Sequence, residues 1–63
     1  MTNLRLIREK QGVKPTWLAE SLGISRSALW RYENGKVPAP RSVLFMAAQL
    51  LRVTTEDLND NDA

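Results

Sequence analysis

Apolar residues recur along this chain at the three- and four-residue spacing of α-helices, in segments that glycine or proline separates. Gly12, Gly23 and Gly35 each follow such a segment and supply helix stops at nearly even intervals. Residues 37–40 read Val-Pro-Ala-Pro, which cannot continue a helix and therefore form a connecting loop. Because no stretch alternates apolar and polar residues as a strand would, the pattern predicts an all-α fold.

The pattern predicts five helices packed as one compact domain. The first covers residues 3–11, the second begins at Pro15 and stops before Gly23, the third covers residues 26–33, the fourth covers residues 41–51, and a short fifth begins near Thr55. The apolar faces of the first four helices are predicted to meet in a core that contains Leu4, Ile7, Leu18, Ala19, Leu22, Ala28, Leu29, Tyr32, Leu44, Ala47, Ala48 and Leu51.

Three of the helix starts share one sequence pattern, an apolar residue before the cap position and a leucine five residues later. The pairs with this spacing of a hydrophobic staple are Val13 with Leu18, Ile24 with Leu29, and Val53 with Leu58. The caps between them are Lys14, Ser25 and Thr54, of which Ser25 and Thr54 suit the position. Lys14 is a poor cap, but Pro15 follows it at the first helical position, where a missing N–H costs nothing.

Composition narrows the class of protein without identifying it. A chain of 63 residues makes one small domain, and without cysteine or histidine it has no disulfide and no ordinary zinc site. No apolar run approaches the roughly 18 residues of a membrane span or the core of a signal peptide, so we expect a cytoplasmic protein without a membrane partner. With no glycine-rich phosphate loop and no room for a pocket, we expect no enzyme, no cofactor and no small-molecule ligand.

The net charge of +2 conceals an uneven distribution of charge. All nine Lys and Arg residues lie in residues 5–52, a stretch that contains only three acids, Glu9, Glu20 and Glu33. The other acids crowd the end of the chain, and we expect a domain of residues 1–58 followed by a disordered acidic tail, residues 59–63. A basic domain of this kind, with a pI near 9.5 for the chain, suits a polyanionic partner.

Residues 18–25, Leu-Ala-Glu-Ser-Leu-Gly-Ile-Ser, contain a helix end, a glycine turn and a serine cap for the next helix. Two helices joined by so short a turn cross at a wide angle, which is the helix-turn-helix geometry. Ala19 would allow the two helices to approach closely, Gly23 would supply the positive φ of the turn, and Ile24 would fill the angle between them.

The outer face of the third predicted helix is basic and contains no carboxylate. Because the apolar residues of this helix point to the core, the opposite side presents Arg26, Ser27, Trp30, Arg31 and Asn34. Guanidinium, hydroxyl and amide groups match the hydrogen-bonding edges of bases in the major groove. An exposed tryptophan at the centre of such a face is costly unless a partner covers it. The alternative is a solvated basic helix on which Trp30 folds back against a neighbour.

Four motifs follow one another over nearly the whole chain. They are Leu4-x-x-Ile7-Arg8-x-x-x-Gly12-Val13, Leu18-Ala19-x-x-Leu22-Gly23-Ile24-Ser25, Tyr32-Glu33-Asn34-Gly35-Lys36 and Ala48-x-x-Leu51-x-Val53-x-x-x-x-Leu58. In order and spacing they resemble the Cro/repressor-type helix-turn-helix proteins of phages and bacteria, also called the XRE family. The resemblance implies a five-helix domain of the lambda-repressor-like type, with the helix-turn-helix at the second and third helices.

The resemblance also implies which residues contact double-stranded DNA. The third helix would lie in the major groove, where Arg26, Ser27 and Arg31 match base-reading positions of the family. Trp30 replaces a position that is commonly small or polar, and we expect its ring to pack on a thymine methyl or a sugar edge. The DNA backbone contacts implied by the family are Lys14, Thr16, Ser25, Asn34, Lys36 and Arg41. For Trp17, which lies off the apolar face of its helix, we expect partial cover of the core edge.

Further features follow from the same resemblance. Arg8 and Glu33 match a family ion pair that ties the first helix to the third, and deleting one partner would cost more than the pair contributes. Arg52 stands where the family usually has glycine at the end of the fourth helix, a position that needs a positive φ, so we expect a cost of about 1 kcal/mol. Pro15 replaces a common glutamine, so one side-chain contact to DNA is lost.

The fourth predicted helix carries a second apolar stripe, formed by Val43, Met46 and Leu50. The family places dimer contacts around the fourth and fifth helices. This favours a weak homodimer, one that can form fully on DNA. The alternative is that this stripe packs against the first helix near Leu6. A dimer would hold two third helices about 34 Å apart and would require a palindromic operator.

Taken with the resemblance, the sequence indicates a sequence-specific DNA-binding transcriptional regulator, of the Cro or repressor type, that occupies an operator and excludes polymerase. An antitoxin-like or other protein-interaction module is the alternative, because a helix-turn-helix fold does not fix the partner. The basic face with Arg26 and Arg31 favours DNA.

Overall fold

The computed structural model describes residues 2–59, which form four α-helices and one 3₁₀ turn. The elements are α1 (Asn3–Gln11), α2 (Pro15–Leu22), α3 (Arg26–Glu33), α4 (Arg41–Leu51) and the 3₁₀ turn (Glu56–Leu58). No strand occurs in this part of the chain, so the prediction of an all-α fold is confirmed there. None of the described helices is long and apolar enough to cross a membrane.

The predicted fifth helix is wrong as an α-helix. Its start is as expected, because Thr54 Oγ1 accepts a hydrogen bond from Asp57 N at 3.1 Å and Asp57 Oδ2 accepts one from Thr54 N at 3.0 Å. The chain then leaves helical geometry at Asn59, where ψ is 120°, so that only a single 3₁₀ turn forms. That turn suffices to place Leu58 in the core. Of the predicted acidic tail, residues 60–63 lie outside the described residues.

The core is built from apolar residues of all four helices and the 3₁₀ turn. Its buried members include Leu4, Leu18, Ala19, Leu22, Leu29, Ala47, Ala48, Leu51 and Leu58. A ring of partly buried residues packs against them: Ile7, Val13, Ile24, Val43, Leu44, Leu50 and Val53. In each predicted staple pair the leucine is buried and its partner is partly buried against the core. This is expected if the staples set the angle at which the chain enters each helix. Ala28 and Tyr32 are half-buried.

Trp17 and Leu6 contribute less to the core than a large apolar side chain could. The side chain of Trp17 is 48% exposed and that of Leu6 is 50% exposed. The expected cover of the core edge by Trp17 is therefore at most partial.

The end of α4 is held in a left-handed conformation by a residue with a side chain. Arg52 has φ 59° and ψ 44°, and its N–H bonds to the carbonyls of the last helical turn. Gln11 Nε2 donates to Leu51 O at 2.7 Å, which ties the end of α1 to the end of α4. Gly12 and Gly23 have similar dihedral angles at the ends of α1 and α2 without the penalty that a Cβ carries.

Arg52→Gly is expected to raise the free energy of unfolding by about 0.5–1 kcal/mol, because the Cβ penalty of the left-handed region outweighs the extra freedom of glycine in the unfolded chain. Urea unfolding would measure the change. Arg52→Ala is the matched control, since it removes the same charge and keeps the Cβ. An equal gain for Arg52→Ala would show that charge, and not backbone conformation, sets the cost.

Candidate nucleic-acid interface

Three residues, Gly23, Ile24 and Ser25, join α2 to α3 and turn the chain sharply between them. Gly23 has φ 71°, and Ile24 N donates back to Ala19 O at 3.0 Å, which closes the end of α2. Ser25 is extended, and its Oγ accepts from Ala28 N at 3.0 Å to begin α3. The result is a helix-turn-helix whose two helices share the same apolar core.

The outward side of α3 carries a shallow surface depression lined by Arg26, Ser27, Trp30 and Arg31, which we call the α3 outer surface. These are the four residues that the sequence analysis assigned to base contacts. All four are exposed because Leu29 and Glu33, on the opposite side of the helix, are buried. Trp30 is 56% exposed, so its ring does not fold back against a neighbour.

Charge on the α3 outer surface has one sign. Two of its four lining residues are arginines, and none is acidic. Glu33 is the one carboxylate on α3, and it is turned into the protein, where its side chain is 6% exposed. The surface therefore offers two guanidinium groups, one hydroxyl and one indole to a partner, without a carboxylate that would repel phosphate.

Arg8 of α1 holds Glu33 in a two-point ion pair inside the domain. Arg8 Nε donates to Glu33 Oε2 at 2.6 Å, and Arg8 Nη2 donates to Glu33 Oε1 at 3.1 Å. Arg8 Nη1 also donates to Val13 O at 2.9 Å, in the segment before α2. One buried guanidinium thus joins α1, α3 and the entry to α2, and fixes the angle at which α3 presents its outer surface.

The C-terminal end of α3 is held by contacts that the sequence analysis did not identify. Arg5 Nη1 donates to Asn34 Oδ1 at 2.9 Å, and Asn34 Nδ2 donates to Trp30 O at 2.8 Å. Thr2 Oγ1 donates to Glu33 O at 2.8 Å and also accepts from Arg5 N at the start of α1. A threonine before the first helical segment is a cap signal that could have revealed Thr2. Nothing local in the sequence indicates the contact of Arg5 with Asn34.

Apart from Arg41, the residues predicted to contact the DNA backbone lie at or just beyond the ends of α2 and α3. Lys14 precedes α2 and Thr16 lies in its first turn, where no side chain caps the helix. The start of a helix suits an anion. Ser25 precedes α3 and Lys36 follows it, and both are exposed. The Asn34 side chain is occupied by the internal contacts described above. All these DNA contacts stay predictions.

Arg41 lies apart from the α3 outer surface. It is the first residue of α4 and lines a groove between α4 and the 3₁₀ turn, together with Phe45 and Glu56. Its contact with the DNA backbone also stays a prediction.

The stripe proposed for a dimer differs from the apolar surface that α4 exposes. Val43 and Leu50 are half-buried against the core of their own chain, and of the stripe only Met46, which is 44% exposed, lies at the surface. Beside it lies Phe45, which is 55% exposed and which the predicted stripe does not include. A helical projection of α4 would have found it, because Phe45 and Met46 lie on either side of the direction opposite the core.

Comparison with known proteins agrees with this geometry. Residues 2–60 match the family described as "Helix-turn-helix domain". A protein of Pyrobaculum aerophilum named "Putative HTH-type transcriptional regulatory protein" is 36% identical over 55 residues, which cover 87% of this chain and 21% of that protein. The chain thus spans about a fifth of the length of this relative.

Proposed function

Since the chain belongs to the helix-turn-helix domain family, we propose that it is a sequence-specific DNA-binding transcriptional regulator that reads the major groove with α3. The observation that carries the proposal is the α3 outer surface, on which the arginines, the serine and the tryptophan are all exposed. Arg26 and Arg31 suit the O6 and N7 acceptors of guanine, so each half-site is expected to contain at least one G·C pair. The name of the Pyrobaculum aerophilum relative supports a role in transcription.

The DNA backbone would be held on both sides of α3. Lys14 and the N–H groups at the start of α2 would contact one phosphate strand, and Lys36 would contact the DNA beyond the end of α3. Ser25 and Thr16 would add hydroxyl contacts, and Arg41 a further cation. These contacts position α3 and supply affinity, whereas the α3 outer surface supplies specificity.

Occupation of an operator is the simplest way in which a domain of this size could regulate transcription. A protein of the Cro or repressor type, acting in the cytoplasm where the DNA lies, would exclude polymerase from an overlapping promoter. This mechanism requires no catalytic group and no cofactor.

A homodimer would match the two-fold symmetry of a palindromic operator. We place its interface on the outward side of α4, around Phe45 and Met46, two large apolar side chains that are 55% and 44% exposed. Val43 and Leu50 would lie at the margin of that interface, since they pack against the core of their own chain. An interface built on two such side chains would bury little area, which fits a dimer that forms fully only on DNA.

Selection from a random duplex pool tests this proposal. We expect a palindromic winner with half-site centres about 34 Å apart, one helical turn. If Lys14, Lys36 and Arg41 of both protomers contact phosphate, the logarithm of the association constant should fall with the logarithm of the salt concentration with a slope of about −5. A single half-site as the winner would contradict the dimer but not DNA reading. A pool that yields no consensus would contradict the proposed function and favour a protein partner.

A further inference from the structure

We propose that Trp30 recognises the C5-methyl group of a pyrimidine, thymine in ordinary DNA, at one position of each operator half-site. The inference rests on the proposed function and makes it more specific, because it assigns a chemical group of the DNA to one side chain. Trp30 lies on the α3 outer surface, and its side chain is 56% exposed.

Trp30 is surrounded on its own helix by the residues best suited to read bases. Arg26 lies four residues before it and Ser27 three residues before it, so both are its neighbours on the helix surface. Arg31 follows directly, and all four side chains line the same depression. A ring at the centre of this set faces the base edges if α3 enters the major groove, whereas the cations suited to phosphate lie at helix ends and loops.

The chemistry of the major groove leaves one apolar partner for this ring. Each base pair presents hydrogen-bond donors and acceptors there, and the only apolar group among them is the C5-methyl of thymine. An indole placed against polar edges alone would displace their water and replace it with a single N–H donor. Placed against a methyl group, it buries apolar surface on both partners. The methyl group is therefore the contact that the exposed ring favours.

The two arginines extend the prediction to methylated cytosine. With a guanidinium group on either side of the indole, the methyl-bearing pyrimidine is expected to lie beside a guanine that Arg26 or Arg31 reads. 5-Methylcytosine carries its methyl group at the same ring position as thymine. If cytosine replaces thymine there, methylation of that cytosine should recover part of the lost affinity.

The test removes one methyl group at a time from the DNA. Each thymine of the selected operator is replaced by uracil, which pairs in the same way and lacks only the methyl group. At one position per half-site we expect the affinity of the unaltered protein to fall about fourfold, the effect of one buried methyl group. The affinity of Trp30→Ala should be lower at the outset and should not change on that replacement. Trp17→Ala, which removes an indole exposed elsewhere, should keep the fourfold loss.

Each other outcome has a defined meaning. If uracil is tolerated at every position, or if Trp30→Ala loses as much as the unaltered protein, the inference is wrong although the operator is still read. If the selection yields no operator, the proposed function and this inference fail together. Because Trp30 is largely exposed, circular dichroism of Trp30→Ala should match that of the unaltered protein.

Discussion

Replacing Glu33 with alanine should lower the free energy of unfolding by about 3–5 kcal/mol, a large part of the total stability of so small a domain. The loss exceeds the worth of the ion pair because the Arg8 side chain, which is only 9% exposed, would keep its charge and lose both hydrogen bonds to Glu33. Urea unfolding followed by circular dichroism measures the change. We expect Arg8→Ala to be similarly damaging, since it also ends the contact with Val13 O.

Two further variants isolate the cause. Glu9→Ala removes an exposed carboxylate that lies 3.0 Å from Arg5 and 3.9 Å from Arg8 on the surface of α1, and it should cost less than about 0.5 kcal/mol. The double variant Arg8→Met, Glu33→Leu removes both charges and should be more stable than either single alanine variant. Stability of Glu33→Ala equal to that of Glu9→Ala would contradict the role assigned to the buried pair.

Arg26→Ala and Arg31→Ala are each expected to lower affinity for the selected operator by about five- to a hundredfold, the range expected when a bidentate contact to guanine is lost. Affinity for unrelated duplex should fall much less, because that binding depends on phosphate contacts. Titration of both duplexes at one salt concentration gives the ratio. Stability should be unchanged, since both side chains are exposed.

Arg52→Ala is the control for the loss of one positive charge. Arg52 lies at the end of α4, outside the α3 outer surface, and its removal should weaken binding to both duplexes slightly and equally. If Arg26→Ala lowered affinity for both duplexes by the same factor, Arg26 would be a phosphate contact and not a base contact.

The helices could be predicted from the sequence because their ends are marked locally. Gly12 and Gly23 stop α1 and α2, Pro15 and Ser25 mark the starts of α2 and α3, and the prolines of residues 37–40 separate α3 from α4. The side of α3 that faces outward also followed from the sequence, since the helical period alone separates Leu29 from Trp30.

What the sequence did not predict depends on contacts between distant segments. Arg5 and Asn34 are 29 residues apart, and only the packing of α1 beside α3 brings them within 2.9 Å. The period of α4 leaves Val43 and Leu50 with two possible roles, a dimer contact or packing against α1, because it does not reveal how far the core reaches around the helix. The fifth helix failed for a related reason, since its cap signals mark where a helix starts but not how many turns follow.

The two sides of α3 differ in the contacts that they make inside the domain. Folding stability therefore depends on one side, and the DNA sequence that is read depends on the other. Its inner side packs through Leu29 and the Arg8–Glu33 pair, whereas the four residues of the α3 outer surface are exposed. Substitutions on the outer side should therefore change the sequence that is read at little cost in folding. Such a domain could acquire a new target by a few surface mutations, and laboratory libraries limited to those four positions should return mostly folded proteins.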